Sequence, residues 1–107
     1  MKNFSDRPAL SPACRLIEQF GSRWALLVLF TLEERGTLRY SELRRAVSGG
    51  ISERMLATTL DGLEQSGLVA RTVYPEVPPR VEYRLTAKTV TLLPILHRLR
   101  TWAEENA

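Results

Sequence analysis

Five arginines lie between positions 35 and 54, and guanidinium groups clustered in this way can bind the phosphates of a nucleic acid. The same stretch has two acidic residues, so its excess of three positive charges equals the formal net charge of the chain, +3. We predict that Arg39, Arg44 and Arg45 hold phosphates. The alternative is that one or two of them pair with Glu42 or Glu53.

The single cysteine, Cys14, and the single histidine, His97, are the other residues that could do chemistry. Arg15 and the first turn of a predicted helix would favour a Cys14 thiolate, which predicts a sensor of oxidants or electrophiles. The alternative is a small buried apolar residue. Without a second cysteine in this sequence, oxidation can yield a sulfenic acid, a mixed disulfide or a bridge between subunits.

His97 has no partners at the spacing of a metal site or a catalytic triad. We therefore expect a surface or interface histidine, no metal, no cofactor and no enzymatic activity. A thiol enzyme that uses Cys14 is the weakest alternative, because no base or oxyanion motif accompanies the cysteine.

Length and composition favour a small soluble domain. The 107 residues are 44% hydrophobic and 25% charged, and the pI is about 9.5. We predict one domain, 1–107. The longest apolar stretch, residues 24–32, is shorter than the roughly 20 residues that span a bilayer. Residues 1–10 lack an apolar signal core. The expectation is a cytoplasmic protein with no membrane partner.

The elements that must position these groups follow from caps and periodicity. After a loose lead at 1–10, the pattern predicts four helices, and serines begin all of them. The predicted ranges are Pro12–Phe20 after Ser11, ending at Gly21; Arg23–Arg35 after Ser22, ending at Gly36; 42–47 after Ser41; and 53–66 after Ser52, ending at Gly67. A link at Thr37–Tyr40 with a bridge of strand and a turn at Ser48–Gly50 connect them. The second helix is apolar nearly all round, which is typical of a central buried helix.

Two alternating segments, 68–74 and 80–85, predict a β-hairpin. Its stiff tip is Pro75–Pro79. Thr86 is predicted to cap a last helix, 86–105, which Pro94 should bend. The fold class is therefore mainly α with a small β-hairpin: a winged helix-turn-helix (41–66, with the wing at 68–85) and additional helices at both ends.

The helix after Ser52 has the character of a recognition helix. Leucines at 56, 60 and 63 fall on one side, and Arg54 and Thr58 project from the other. Arginine can donate two bonds to guanine, and the threonine methyl can pack on thymine. Ser52 lies at the helix N-terminus, where a phosphate could bind. The alternative is an ordinary amphipathic helix with a solvated outer face.

The wing contributes one further candidate, Arg80, at the base of YPEVPPR (74–80). We predict that Arg80 touches a phosphate or the minor groove. Glu76 argues against contact by the apex itself, because its charge repels the phosphate backbone.

Apolar residues of the terminal helices predict a two-fold dimer interface. The alternative is that they pack onto the core of their own subunit. The predicted interface residues are Leu16, Phe20, Leu92, Leu96, Leu99 and Trp102.

The motifs GIS-x-x-ML-x-x-TL, LE-x-x-GLV-x-R and Y-PE-x-PP-x-V-EY-x-LT occur in this order. Together with LRYSELRRAV they resemble the HxlR family of winged-helix transcriptional regulators, which are related to the MarR group. The resemblance implies a homodimer that binds operator DNA through the helix-turn-helix and wing. It also implies dimer contacts from the terminal helices and, as in some members, a sensor cysteine at Cys14.

This chain departs from the family pattern at three places. Arg23 replaces the usual lysine, Thr89 replaces the usual glycine, and the Ser48–Gly50 turn is one residue longer. The function expected from sequence is a homodimeric regulator, favoured as a repressor, on a roughly palindromic double-stranded DNA operator, with an oxidant or small molecule as effector. The alternative is a winged helix that binds proteins and not DNA.

Overall fold

The computed structural model describes residues 11–20 and 22–107. The lead predicted at 1–10 and the helix stop predicted at Gly21 lie outside these residues. The described part is mainly helical with one small antiparallel sheet, which confirms the predicted fold class. Its elements are α1 (Ser11–Gln19), α2 (Arg23–Arg35), β1 (Leu38–Arg39), α3 (Tyr40–Ala46), α4 (Glu53–Gln65), β2 (Val69–Tyr74), β3 (Arg80–Leu85) and α5 (Ala87–Asn106).

Two of the predicted serine caps are confirmed. The Ser22 hydroxyl accepts the N–H of Trp24 at 3.2 Å, and the Ser52 hydroxyl accepts the N–H of Met55 at 3.1 Å. Each bond satisfies a backbone donor that the first helical turn leaves free. The helix predicted after Ser11 starts one residue earlier, since α1 includes Ser11 itself.

The predicted Ser41 cap is wrong, whereas Thr86 takes the predicted N-cap position of α5 but makes no side-chain capping bond. The third helix starts at Tyr40, before Ser41, and the Glu42 carboxylate accepts the N–H of Arg39 at 2.8 Å. Thr86 precedes α5, but its hydroxyl donates to the carbonyl of Gly67 at 2.6 Å instead of capping the helix. At α3 the helix begins before Ser41 and a neighbouring carboxylate binds the N-cap N–H, whereas at α5 the Thr86 hydroxyl is engaged by a carbonyl distant in sequence.

The turn between α3 and α4 depends on two glycines. Gly49 and Gly50 have φ of +95° and +70°, a region that residues with a Cβ rarely adopt. A side chain at position 49 would also meet the ring of Trp24, 3.4 Å from the Cβ position. The turn therefore has little freedom to change the angle between α3 and α4.

The sheet has three strands in the order β1–β3–β2. The hairpin register runs from Val69 opposite Leu85 to Tyr74 opposite Arg80, and residues 75–79 connect the strands as predicted. On the other edge of β3, Leu38 lies opposite Tyr83 and Arg39 lies opposite Glu82. The wing is thus bonded to the segment that leads into α3.

The core surrounds α2, as its apolar sequence predicted. Leucines of α3 and α4 pack against it together with residues of β2, β3 and α5. The fully buried leucines of the helix-turn-helix and the helix before it are Leu29, Leu43, Leu56, Leu60 and Leu63. Burial of each contributes about 1.5–3 kcal/mol relative to an exposed side chain, so these leucines hold α3 and α4 in place.

The start of α5 anchors the connection between α4 and β2. Lys88 Nζ donates to the carbonyl of Ser66 at 2.8 Å, and the buried Thr89 hydroxyl donates to the carbonyl of Leu68 at 2.5 Å. A glycine at position 89, usual in the family pattern, could not form the second bond. Pro94 lies within α5, and the bend expected there stays a prediction.

Candidate nucleic-acid interface

The exposed face of α4 is the centre of the candidate interface. Its leucines are buried, so Arg54, Ala57 and Thr58 are turned to solvent on the opposite side. The N-terminus of α4 is capped by Ser52 and follows the turn after α3. Arg54 and Thr58 therefore lie where a helix-turn-helix meets base edges. Their contact with bases stays a prediction.

Three of the predicted arginines have side chains available for phosphates. Arg39, Arg45 and Arg54 are exposed, and none forms an ion pair with any residue in 11–20 or 22–107. They come from the β1–α3 boundary, the end of α3 and the first turn of α4. Positive charge is thus distributed along the helix-turn-helix without ion-pair partners among the residues that the structure describes.

Arg44 is different, because it is paired within the protein. Its Nη1 lies 3.0 Å from Glu53 Oε1, and both side chains are largely exposed. Arg44 is therefore paired with Glu53, which is the alternative that the sequence offers for this arginine. Surface pairs of this kind contribute about 0–1 kcal/mol, so a phosphate could compete for Arg44.

Tyr40 is a residue of this site that the sequence reasoning missed. Its hydroxyl donates to the main-chain carbonyl of Glu53 at 2.8 Å, and its ring centroid lies 6.4 Å from that of Tyr83 on β3. Two residues of α3, Tyr40 and Arg44, therefore hold Glu53, the first residue of α4. The aromatic residue in LRYSEL is the only signal for this role, since the sequence pattern predicts a link at Thr37–Tyr40.

The tyrosine hydroxyl is kept as a donor by its surroundings. Desolvation raises the pKa of Tyr40 above its ordinary 10.0, and the nearby Glu53 and Tyr83 raise it further, whereas Arg44 lowers it. The neutral phenol is the form that can donate to the Glu53 carbonyl. The raised pKa therefore favours the form of Tyr40 that makes this bond.

Arg80 does not extend freely from the wing. Its Nη2 lies 3.4 Å from Glu76 Oε1, and its Nε lies 3.6 Å from Glu82 Oε2. The guanidinium carbon also lies 4.1 Å from the ring centroid of Tyr74. The predicted phosphate contact of Arg80 stays untested, but in the free protein this cation already has two carboxylates and an aromatic ring as partners.

The far end of α4 is tied to α1. Gln19 Nε2 donates to the carbonyl of Gly62 at 2.6 Å and to the hydroxyl of Ser66 at 2.9 Å. Cys14, the candidate sensor, is a half-buried free thiol one helical turn earlier on α1. A displacement of α1 would therefore act on α4 through Gln19.

The residues predicted for a dimer interface divide into three groups by exposure. Leu96 is only 4% exposed and packs in the core of its own subunit, which is the alternative given from sequence, and its place in an interface stays a prediction. Leu16, Phe20 and Leu92 pack partly against that core. In contrast, Leu99 is 55% exposed and Trp102 64%.

Further exposed apolar side chains were missed. Ile95 is 63% exposed and falls at helical spacing with Leu99 and Trp102, so the three form one face of α5. Ile17 of α1 is 69% exposed. The alternation between buried and exposed leucines of α5 depends on packing against α2, which the sequence pattern alone does not resolve.

His97 connects α5 to α2. Its Nε2 lies 2.7 Å and 2.9 Å from the two carboxylate oxygens of Glu33, and its ring centroid lies 5.1 Å from that of Phe30.

Across 11–20 and 22–107, histidine, cysteine and acidic residues form no group of three that could hold a metal ion. Within the same residues, no helix has the length and apolar character needed to cross a membrane.

These features define a class of protein. Two helices joined by a tight turn, an exposed second helix and a β-hairpin beside it form a winged helix-turn-helix. The HxlR-like helix-turn-helix family model matches residues 19–107. The chain therefore belongs to the HxlR family, as its motifs predicted.

Individual relatives agree with this assignment. The chain is 40% identical over 106 residues to the HTH-type transcriptional regulator BH0655 of Halalkalibacterium halodurans, covering 99% of this chain and 89% of that protein. A MarR-family transcriptional regulator from Porphyromonas gingivalis W83 has a similar structure, with a TM-score of 0.76, 37% identity and coverage of 100% and 98%. The redox regulator HypR in its oxidised form has a TM-score of 0.71, 37% identity and coverage of 90% and 97%.

The Tyr40 hydroxyl can be tested through its pH dependence. Tyr40→Phe should lower the free energy of unfolding by about 1 kcal/mol at neutral pH, because it removes one hydrogen bond. Since the pKa of Tyr40 is raised in the folded state, this contribution is complete below 10.0 and is lost as the pH rises above it. The difference in urea midpoint between wild type and variant should therefore narrow in alkali. A difference that stays constant across this range would contradict the assigned role.

Proposed function

We propose that this protein is a sequence-specific DNA-binding transcriptional regulator that acts as a homodimer on a roughly palindromic operator. The observation that carries the proposal is the exposed face of α4, with Arg54 and Thr58 outward and with Arg39 and Arg45 beside it, neither of them in an ion pair with a described residue. Membership of a family of helix-turn-helix regulators supports the same conclusion.

In the proposed complex, α4 enters the major groove. Arg54 donates to a guanine, and the Thr58 methyl packs against a thymine. Arg39 and Arg45 bind phosphates on either side and set the register, with Ser52 at the helix N-terminus near the backbone. Arg44 contributes indirectly, because it holds Glu53 and thus the start of α4.

The proposed dimer buries the exposed apolar face of α5, formed by Ile95, Leu99 and Trp102, together with Ile17 of α1. Three large side chains more than half exposed on one helix face are costly in water, and a second copy would cover them. A two-fold dimer would present two copies of α4 to half-sites about 10 base pairs apart.

The proposed effector is an oxidant or electrophile that reacts with Cys14. The similarity to HypR, a redox regulator, supports this assignment. The path from the thiol to DNA is short, because Gln19 on the same helix donates to Gly62 and Ser66 at the end of α4. Modification that shifts α1 would pull on the recognition helix.

Base reading and phosphate binding can be separated with two variants. A duplex selected from a random pool by the wild-type protein serves as the operator. Arg54→Ala should reduce discrimination between this duplex and single-base variants by about 1–3 kcal/mol at one position. Arg45→Ala should weaken binding to all duplexes alike and reduce the salt slope by about one.

Fluorescence anisotropy at several salt concentrations measures both effects. Arg98→Ala, which removes an exposed arginine outside the helix-turn-helix, is the matched control and should leave affinity and slope unchanged. If the wild-type protein selects no duplex, the proposed function is wrong, and a winged helix that binds proteins becomes the better interpretation.

The dimer interface can be tested without disturbing the core. Leu99→Arg should convert the dimer to a monomer in sedimentation velocity, because it places a charge in the apolar face of α5. Thr101→Arg adds the same side chain on the opposite face of that helix and should remain dimeric. A Leu99→Arg variant that sediments as a dimer would show that α5 is not the contact.

The sensor assignment predicts a difference between wild type and Cys14→Ser after treatment with diamide. Wild type should change its operator affinity, and dithiothreitol should restore it, whereas Cys14→Ser should not respond. Non-reducing electrophoresis would distinguish a bridge between subunits from a mixed disulfide. An identical response of the two proteins would rule out Cys14 as the sensor.

A further inference from the structure

A surface cleft lies where α1, the C-terminal end of α4 and the start of α5 meet. Its volume is about 570 Å³, which falls within the range of about 300–1,000 Å³ that small-molecule sites have. None of the residues predicted to contact DNA lines it, and Cys14 does not line it either. The proposed function therefore leaves this cleft without a role.

The lining of the cleft is positively charged. Arg15 from α1 and Lys88 from α5 belong to it, and no acidic residue among those described does. Arg15 is exposed and forms an ion pair with none of the described residues. Four other clefts on the described surface each include a carboxylate, from Asp61 and Glu64, Glu76, Glu42 or Glu33. The charge of this cleft therefore favours an anion.

The backbone adds to this preference. Pro12 and Lys88, the second residues of α1 and α5, line the cleft, so the positive ends of two helix dipoles lie beside it. The negative end of α4 is covered, because the carbonyls of Gly62 and Ser66 accept from Gln19 and Lys88. The lysine ammonium has two further N–H groups to donate. An anion in the cleft therefore meets donors in place of these carbonyls.

Two leucines give the cleft an apolar wall. Leu68 is buried, and Leu16 is half-buried and packs against the core. An organic acid covers this wall with its apolar body, whereas an inorganic anion leaves it in contact with water. The two oxygens of a carboxylate also match the forked donors of the Arg15 guanidinium. The lining is thus suited to a small monocarboxylate.

We propose that this cleft binds a small organic carboxylate, with its charge between Arg15 and Lys88 and its apolar body against Leu16 and Leu68. A bound ligand would connect α1 to α5 beside the end of α4, the same end that Gln19 binds. It would therefore act on the position of α4 without touching DNA. This action on DNA binding rests on the proposed function, whereas binding of the carboxylate does not.

The cleft is separate from the proposed cysteine sensor and dimer contact. Leu16 and Gln19 line the cleft, whereas Cys14 and Ile17 fall on the other side of α1 at 3.6 residues per turn. Burial of Ile17 in the proposed dimer is therefore compatible with an open cleft. A reversible ligand and an oxidant would act on one helix from two faces.

Titration of the protein with benzoate and with isovalerate, followed by amide NMR shifts, tests the site directly. Signals of the cleft, including Gln19, Ser66 and Lys88, should shift and saturate with a Kd of about 1 mM or below. Benzamide has the shape of benzoate without its charge and should cause no saturating shift. Inorganic phosphate, an anion without an apolar body, should bind roughly tenfold more weakly.

Three outcomes of this titration would overturn the proposal. The first is that neither acid causes saturating shifts in the cleft. The second is that benzamide binds as tightly as benzoate does, because the cations would then make no contact with the ligand. The third is that phosphate binds as tightly, because the apolar wall would then have no part in binding.

Variants identify the contacts. Arg15→Met and Lys88→Met should each weaken benzoate binding roughly tenfold, because each removes a charge and keeps the apolar stem. Lys88→Arg keeps the charge and should retain most of the affinity. The matched control is Arg98→Met, which changes an exposed arginine of α5 outside the cleft and should bind as wild type does. Urea unfolding confirms that each variant is folded. Equal affinities of Arg15→Met and Arg98→Met would contradict the proposed carboxylate contact.

The action on DNA is measured by anisotropy on the selected duplex at constant ionic strength, with and without saturating benzoate. Operator affinity should change about threefold or more in wild type and stay constant in Arg15→Met. Constant affinity in wild type while the cleft signals shift would overturn the action on α4 and support the site. A protein that binds benzoate in the cleft but selects no duplex would contradict the proposed function and not the site.

Discussion

The position of α4 depends on one residue, Glu53, which α3 holds at two points. Tyr40 binds its main-chain carbonyl at 2.8 Å, and Arg44 binds its carboxylate at 3.0 Å. The buried leucines of α4 hold the helix against the core, and the two contacts add a fixed point at its first residue. The Tyr40 ring lies next to that of Tyr83 and so connects the same point to the wing. The start of α4, which carries the residues predicted to read bases, is thus connected to the wing through Tyr40.

The C-terminal end of α4 is hydrogen-bonded to α1, which carries the proposed sensor Cys14, and the chain after it is hydrogen-bonded to α5, which carries part of the proposed dimer interface. Gln19 reaches it from α1, and Lys88 and Thr89 reach the chain that leaves it from α5. Recognition helices in dimers must keep a set distance to match two half-sites. Hydrogen bonds join both terminal helices to the C-terminal end of α4 and the residues after it. A change at the proposed dimer interface would therefore act directly on the distance between the two recognition helices. Thr89 strengthens the link through a bond that a glycine lacks.

Much of the fold could be predicted because its signals are local. Serine caps, stop glycines, alternating strands and an all-apolar α2 each depend on neighbours in sequence, and the element order follows from them. The features that these signals do not determine involve contacts between distant positions. Thr86 donates to Gly67 and makes no side-chain capping bond at α5, and Leu96 is buried where Leu99 is exposed. Tyr40 was missed for the same reason, since its partner lies thirteen residues away. Periodicity identifies a helix face but not the element that covers it.

Counting arginines along the chain overestimates the charge available to DNA. Of the predicted phosphate ligands, Arg44 and Arg80 have carboxylate partners within 3.0–3.6 Å, whereas Arg39 and Arg45 have none among the residues described. The paired arginines lie where geometry matters, at the start of α4 and at the base of the wing tip. Arg39 and Arg45 flank the helix-turn-helix. At these positions a phosphate contact requires only that the side chain is long enough, and it does not require a fixed orientation of the guanidinium group. Arginine thus has two physical roles in this fold: its planar, multidentate group shapes the interface, and its unpaired charge attracts the duplex. The arginines that shape the surface carry their own acids, and this pairing accounts for the position of Glu53 and Glu76 so close to the surface proposed to meet phosphates.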